Sequence, residues 1–226
     1  MAETWLRIVT YRTSPGSDDG RRYVTESLQR VQREFGRTLG FRGGHWAHDA
    51  DGEVLAAVTN WASREAIEDA SDFLRMLRAD RLAHGLTLDK EVNLQLVTAP
   101  TAWEAADWEA ITSRHASNWL RVAFYGTQGA ADAQAADHLR SSTRDAMAML
   151  KQQAGFRVGY WGHDPVGGTM AAITYWDGLE EIVQAAPELQ RLQQERQEHG
   201  GTITEVLNLR LLSTELVHTG ATGWLS

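Results

Sequence analysis

The chain has 226 residues, of which 42% are hydrophobic and 23% charged, a composition typical of a folded protein and long enough for two domains of roughly 100 residues each. Its formal net charge of −8 disfavours a nucleic-acid partner, because binding phosphates requires a basic surface. It contains no cysteine, which excludes disulfides, thiolate nucleophiles and cysteine-held zinc or iron–sulfur centres.

No stretch of the sequence reaches the roughly 18 apolar residues that span a bilayer. Residues 1–10 also lack the basic flank and the long apolar core of a signal peptide. We therefore expect a cytoplasmic protein without a membrane partner.

The first half of the predicted unit is a strand, a helix and a hairpin. Residues 5–13 alternate apolar and polar side chains, as a strand does. Residues 23–35 place apolar side chains at helical spacing. Residues 41–48 and 54–61 predict two further strands, joined by a turn rich in Asp and Gly.

A second helix and a final strand complete the unit. The helix is predicted to begin at Ser63, to carry Leu82 on its apolar face and to end at His84, which a glycine follows. Residues 92–98 predict the last strand. The order βαββαβ is that of the ferredoxin-like unit, an α+β fold with an antiparallel sheet and both helices on one face.

The same pattern occurs twice in the chain. A shift of 115 residues aligns 40–49 with 155–164, and roughly two positions in five are identical from residue 40 to 98 without a gap. Upstream, Trp5-Leu6-Arg7 matches Trp119-Leu120-Arg121 at an offset one residue shorter. We therefore predict two tandem ferredoxin-like repeats, residues 1–99 and 118–214, with a linker at 100–117 whose composition suits a short helix, and a C-terminal tail at 215–226.

The first strand of each repeat has large side chains on one face. We expect this face to point away from the helices, so that each repeat packs sheet to sheet against the other. The residues concerned are Trp5, Val9 and Tyr11 in the first repeat and Trp119, Ala123 and Tyr125 in the second.

These features resemble the dimeric α/β-barrel superfamily, and within it the antibiotic biosynthesis monooxygenase family. The resemblance rests on the βαββαβ order, on Gly40-Phe41 opening the second strand, on Trp61 before a Ser/Glu/Ala helix start, and on His84 near the end of the second helix. It covers nearly the whole chain twice. In that family two ferredoxin-like subunits pack sheet against sheet, so the resemblance implies an intramolecular dimeric α/β barrel, either a monomeric pseudo-dimer or a homodimer of the full chain.

The resemblance also implies three alternative functions. The first is a cofactor-independent monooxygenase-like enzyme that acts on a polycyclic aromatic or quinol-type small molecule held between sheet and helices. The second is a non-catalytic binding protein for such a ligand. The third is a haem-binding or haem-degrading protein, in which His84 and His199 would stand near the iron ligand. Against the third, the stretch from Trp61 to His84 is about one helical turn longer than in those enzymes, and Tyr11 stands near where they carry an asparagine.

His48 and His163 are candidate proton acceptors, because imidazole titrates near neutral pH and both repeats keep this histidine. The alternative is a hairpin residue that bonds the neighbouring aspartate. Tyr11 and Tyr125 are the other catalytic candidates, since a phenolic hydroxyl can orient a substrate or accept its proton. Their alternative place is the junction between the two sheets.

The remaining candidates are substrate-binding residues, each with a structural alternative. The tryptophans could form the wall of a pocket for a flat ligand or belong to the core, the arginines could bind an anion or form ion pairs between the repeats, and the histidines could cap helices. They are Trp46, Trp61, Trp161, Trp176, Arg42, Arg157, His84 and His199. No metal site is predicted. If only one repeat holds a competent site, we expect the two repeats to differ at residues of that site. Such differences include His45 against Tyr160 and Asn60 against Tyr175.

Overall fold

The computed structural model describes residues 4–13, 19–97, 119–127 and 131–212. It divides into two compact units: unit 1 comprises Met1–Asn93 with Leu211–Ser226, and unit 2 comprises Leu94–Arg210. The predicted linker and tail lie outside the described residues. Among the described helices, none is long and apolar enough to cross a membrane.

Unit 1 follows the predicted order, with its second helix divided in two. The hairpin strands have their predicted bounds, and the N-cap Ser63 accepts a hydrogen bond from the Ala66 N–H. The helix is interrupted at Ala70, which has φ −80° and ψ 2°. The elements are β1 (Trp5–Arg12), α1 (Asp19–Gly36), β2 (Phe41–His48), β3 (Val54–Trp61), α2 (Arg64–Asp69), α3 (Ser71–Ala83) and β4 (Thr87–Leu96).

Two details of the helix and strand predictions were wrong. Leu82 is 64% exposed, because the buried face of its helix carries Leu74, Leu77 and Arg81, and Leu82 lies outside that face. The last strand begins at Thr87, five residues earlier than predicted, and the exposure of its side chains alternates from there. The sequence did not predict this first part of the strand because Asp89 and Glu91 interrupt its apolar pattern. In the structure both side chains bond to residues of β1.

Unit 2 repeats this order. Its sheet has the strand order β6-β7-β5-β8, with every pair antiparallel. The end of β4 also belongs to this unit, where Gln95 pairs with His163. The elements are β5 (Trp119–Gly126), α4 (Ala131–Leu150), β6 (Phe156–Asp164), β7 (Thr169–Trp176), α5 (Leu179–Gln184), α6 (Ala186–Glu198) and β8 (Thr202–Leu211). The described residues thus form an α+β fold with eight antiparallel strands and six helices.

The prediction of which sheet face meets the helices was wrong. Trp5 packs with Leu28, Val31 and Phe35 of α1, so the face that carries Trp5, Val9 and Tyr11 is the helix side of the sheet. Ala123 and Tyr125 likewise pack with the helices of unit 2. Alternation along a strand defines two faces but does not say which one the helices cover, and here both faces are buried.

The aromatic core of unit 1 is centred on Phe35. Its ring lies 5.0 Å from that of Phe73 and 4.9 Å from that of Phe41, and it also contacts Trp46 and Trp61. Such edge-to-face and tilted pairs join helices to the sheet. This cluster therefore fixes the two helices over the strands that carry the candidate site residues.

The other face of the unit 1 sheet buries a histidine. His45 pairs with Val58, on the face that also carries Leu6, Ile8 and Asn60, and all five side chains are buried. Burial lowers the pKa of His45 from 6.5 to about 3, because it disfavours the charged imidazolium. His45 is therefore neutral in the folded protein.

Truncating the centre of the aromatic core should weaken the fold. We expect Phe35→Ala to lower the free energy of unfolding by about 3–5 kcal/mol, through lost burial and the cavity left behind. Denaturant unfolding followed by tryptophan fluorescence measures this. Leu39→Ala is the control, because Leu39 is 88% exposed and should change stability by no more than about 0.5 kcal/mol. Equal effects of the two changes would contradict the packing described.

His45 should make stability depend on pH. Between pH 6.5 and about 3 the unfolded chain binds a proton at His45 that the folded chain does not, so stability falls as pH falls through this window. The His45 contribution is at most about 1.4 kcal/mol per pH unit. Urea unfolding at several pH values should show a smaller slope for His45→Gln, whereas His84→Gln, at an exposed site, keeps the wild-type slope. An unchanged slope in His45→Gln would contradict the burial of a neutral imidazole.

Candidate functional site

Three rows of side chains cross the sheet of unit 2 on its helix side. One row holds Tyr125, Met170 and His163, since Tyr125 pairs with Met170 and Met170 with His163. The middle row holds Ala123, Ala172 and Trp161. The third row holds Asn208, Arg121, Thr174 and Gly159. Small residues thus occupy the centre of this face, and polar and aromatic residues surround them.

Two arginines and a tyrosine come together on this face. Arg121 and Tyr125 lie four residues apart on β5, and Arg196 of α6 places its Cζ atom 5.6 Å from the centre of the Tyr125 ring. All three are buried, with 6%, 2% and 4% exposure for Arg121, Tyr125 and Arg196. A strand and a helix therefore hold two guanidinium groups around one phenol.

Some polar atoms of this group have no bonding partner within the protein. Arg196 Nη1 and Asn208 Oδ1 are buried and make no hydrogen bond to any described residue. Asn208 lies directly opposite Arg121 across the pair β5–β8. Its counterpart in unit 1, Asn93, has an equally unbonded Oδ1, so only the Arg196 donor distinguishes unit 2. Because buried polar groups are normally hydrogen-bonded, Arg196 Nη1 is a donor that a polar ligand would satisfy.

The two guanidinium groups also lack a counter-ion. Among the described residues no carboxylate lies within ion-pair distance of Arg121 or Arg196. Burial is the main influence on both groups and lowers the pKa of each; for Arg196 it is opposed by Tyr125 and by Glu195. Arginine nevertheless stays charged in proteins. The helix side of unit 2 therefore carries buried positive charge without matching negative charge.

Tyr125 is held in its neutral form. Burial raises the pKa of its hydroxyl, although Arg196 and Arg121 act in the opposite direction. A protonated phenol in this position can donate a hydrogen bond to an anion. It is poorly suited to accept a proton at neutral pH.

In the corresponding group of unit 1, one of the two arginines has an acidic partner. Arg7, Tyr11 and Arg81 correspond to Arg121, Tyr125 and Arg196, and Arg81 lies 4.7 Å over the Tyr11 ring. Here Arg7 Nε donates to Glu91 Oε1 at 2.9 Å. The sequence position that matches Glu91 in unit 2 is occupied by Val206. The two units thus share the arginines and differ in the acid.

The two predicted proton acceptors have different surroundings. His48 Nδ1 donates to the carbonyl oxygen of Asp49 at 2.6 Å, which ties it to its hairpin. His163 is buried beside Met170, in the same row as Tyr125. The structure thus brings His163, Tyr125 and Trp161 to one face of unit 2.

His84 and His199 cap helices. Each follows the last residue of a helix, and its Nδ1 donates to a backbone oxygen, that of Asp80 at 2.7 Å and that of Glu195 at 2.8 Å. The His84 ring stacks on Tyr23, and the His199 ring stacks on His138 at 3.6 Å. Burial, together with the neighbouring His199, lowers the pKa of His138.

The surroundings of His199 do not fit a haem. Its Nδ1–H donates to a carbonyl, which leaves the lone pair on Nε2 as an iron ligand requires. However, the crevice that His199 lines with His138, Leu139, Met170 and Arg196 is too narrow for a water-sized sphere. In the described part of the chain, no group of three or more His, Asp or Glu side chains could hold a metal ion.

The tryptophans divide into two pairs. Trp61 Nε1 donates to Thr59 Oγ1 at 3.0 Å and Trp176 Nε1 to Thr174 Oγ1 at 2.9 Å, as core residues do. The buried indole N–H groups of Trp46 and Trp161 donate to no described residue. The Trp161 ring lies against Gly159, where a Cβ atom would come within 2.7 Å of it.

The predicted anion-binding arginines bond within their own units. Arg42 Nη1 donates to Thr4 Oγ1 at 3.2 Å, and Arg157 Nε donates to Asp177 Oδ1 at 2.5 Å. The expected ion pair of Arg157 between the repeats was therefore wrong, because Asp177 belongs to unit 2. Bulges beside Phe41 and Phe156 interrupt the alternation on which the expected orientation of both arginines rested.

Sequence reasoning missed Arg121 and Arg196. Both are identical to their counterparts in the first repeat, Arg7 and Arg81, and that identity was a visible signal. The second signal was the replacement of Glu91 by Val206 where the arginines are kept.

Comparison with known proteins shows the fold of the chain. No protein-family model matches it, and no curated protein does. An anthrone oxidase-like protein has a TM-score of 0.60 at 13% identity, covering 95% of this chain and 92% of its own. A chlorite dismutase variant from Candidatus Nitrospira defluvii has 0.62 at 11% identity, covering 95% and 94%. A heme-binding protein from Thermus thermophilus has 0.56 at 12% identity, covering 94% and 93%. The chain thus shares its α+β fold with these proteins.

Proposed function

We propose that the chain is a cofactor-independent, monooxygenase-like enzyme that oxidises a quinol-type aromatic in unit 2. The observation that carries the proposal is the pair of buried arginines, Arg121 and Arg196, without a carboxylate partner beside the neutral Tyr125. The structural likeness to an anthrone oxidase-like protein supports the choice of substrate class. The proposal includes the tandem organisation read from the sequence, with unit 2 as the active repeat.

The arginines would act by stabilising the substrate anion. A phenol or anthrone must lose a proton before it can give electrons to dioxygen, and nearby positive charge favours the anionic form. The substrate oxygen would lie between the two guanidinium groups and accept a hydrogen bond from Tyr125. Its binding requires Arg196 to move away from Met170, because the crevice that these two residues line is closed in this structure. Because the site is buried, these interactions are stronger than they would be in water.

His163 is the proposed proton acceptor. It is buried in the same row of side chains as Tyr125, separated from it by Met170. Imidazole suits this role because it titrates near neutral pH. Trp161 and the small residues Ala123 and Ala172 would contact the flat face of the substrate.

The reaction balances with dioxygen as the oxidant. For an anthrone, the carbanion formed by proton loss gives an electron pair to dioxygen, and a carbon–oxygen bond forms. Loss of water from the resulting hydroperoxide leaves the quinone. One oxygen atom becomes the new carbonyl and the other leaves as water, so the step needs no external reductant.

Removing one arginine of the site should impair oxidation. We expect Arg196→Gln to lower kcat/KM for anthrone by about 10²-fold, because the anion loses a preorganised donor. Oxygen uptake with a panel of anthrone and hydroquinones measures this. Arg81→Gln is the matched control, because Arg81 is the buried counterpart of Arg196 in unit 1, where Glu91 pairs with Arg7, and it should leave kcat/KM within about threefold. Circular dichroism checks that both variants fold.

The panel also separates the alternatives. Binding of the aromatic compounds without oxygen uptake would show that the chain is a binding protein and not an oxygenase. A Soret band that forms after haem is added, and that is lost in His199→Ala, would show that it is a haem protein. Oxygen uptake that is equal in wild type and Arg196→Gln would overturn the proposed site.

His163 should be required for the reaction. We expect His163→Gln to lower kcat by at least about 10²-fold, because the proton acceptor is lost. Oxygen uptake with anthrone measures this. His48→Gln is the comparison in unit 1 and should keep the wild-type kcat. A His163→Gln enzyme with the wild-type kcat would show that another group accepts the proton.

A further inference from the structure

In unit 1 the carboxylate of Glu91 binds the buried arginine. Its Oε1 accepts from Arg7 Nε at 2.9 Å, and its Oε2 accepts from Arg78. The Arg7 side chain is almost completely buried, whereas that of Glu91 is a quarter exposed. The partly exposed carboxylate of Glu91 thus neutralises the buried guanidinium group of Arg7.

Unit 2 lacks both the acid and its outer partner. Glu91 corresponds to Val206 and Arg78 to Gln193, while Arg7 and Arg81 are kept as Arg121 and Arg196. A purely structural ion-pair group would be expected to lose the buried arginine together with its acid, because an unpaired buried charge is strongly destabilising. Unit 2 instead keeps the buried cations without a counter-ion among the described residues.

The place of the missing carboxylate can be reached from solvent. Val206 is 38% exposed and pairs with Ala123, next to the pairing of Arg121 with Asn208. Ala123 itself is fully buried in the hydrophobic cluster of unit 2. A ligand could therefore approach over Val206, place an anionic group on Arg121 and keep its apolar part against Val206.

We infer that unit 2 binds an aromatic carboxylate, whose carboxylate group takes the position relative to Arg121 that the Glu91 carboxylate takes relative to Arg7. Unit 1 binds no such ligand, because Glu91 already fills the corresponding place. This inference rests on the proposed site in unit 2 and narrows its substrate to quinol-type compounds that carry a carboxylate. The full chain therefore binds one ligand molecule.

Carboxylate fits this site better than a neutral phenol does. Planar guanidinium groups bind carboxylates through two parallel hydrogen bonds, as a point charge cannot. Arg196 Nη1, a donor without a partner among the described residues, remains for the oxygen that is oxidised. The carboxylate would thus bind Arg121, and the ring oxygen would lie beside Arg196 and Tyr125.

Isothermal titration of the full chain with 1-hydroxy-2-naphthoate tests the inference. We expect one site per wild-type chain and at least tenfold weaker binding of 1-naphthol, which lacks the carboxylate. Val206→Glu should weaken 1-hydroxy-2-naphthoate binding at least tenfold by supplying the internal acid. The double variant Arg78→Gln, Glu91→Val gives unit 1 the residues of unit 2 and should bind two molecules per chain.

Two binding sites or no binding site in the wild-type chain would overturn the inference. An unchanged affinity of Val206→Glu for 1-hydroxy-2-naphthoate would also overturn it. The Val206→Glu test remains valid even if the double variant does not fold. Carboxylate binding that obeys these expectations, without oxygen uptake on quinol carboxylates, would overturn the oxygenase and leave the inference intact. Oxidation of a quinol carboxylate with equal kcat/KM in wild type and Val206→Glu would leave the oxygenase and overturn the inference.

Discussion

A buried guanidinium group needs a counter-charge, and the two units meet this need in different ways. In unit 1 the carboxylate of Glu91 bonds Arg7, so the charge of this arginine is balanced within the chain. In unit 2 Arg121 and Arg196 are as deeply buried and have no described acid at ion-pair distance. Removing one partner of a buried pair commonly costs about 3–5 kcal/mol, so such an arrangement persists where something other than stability maintains it. A ligand that brings the missing charge is the physical account that we favour.

The sheet register determines what this charge can act on. Because side chains alternate along a strand, Arg121, Ala123 and Tyr125 share one face, and antiparallel pairing adds Met170 and His163 beside Tyr125. The helices cover this same face. Burial then gives each group its chemical character, since it raises the pKa of Tyr125 and leaves a protonated hydroxyl among cations. The chemistry of the proposed site therefore follows from packing as much as from residue type.

The sequence predicted strand and helix order well, because that order depends on local patterns. The hairpin strands Phe41–His48 and Val54–Trp61 have their predicted bounds, since apolar alternation and an Asp/Gly turn are both local signals. The orientation of Trp5 and Tyr11 was wrong, since it depends on which face of the sheet the helices cover. Arg121 and Arg196 were missed for a related reason: no single-position pattern reveals that a charge is buried or that its acid is absent.

Comparing aligned positions of the two units supplies what single positions cannot. Where Arg7 and Glu91 occur together, the ion pair between them explains why both are present. Arg121 aligned with Arg7 has no such explanation, because Val206 stands at the position that matches Glu91. The histidines illustrate the opposite case: His84 and His199 are kept in both units, and the same helix-capping bond to a backbone carbonyl accounts for each. Identity between repeats therefore points to shared structure, and the difference at residue 206, beside an arginine that is kept, is the more informative guide to a site.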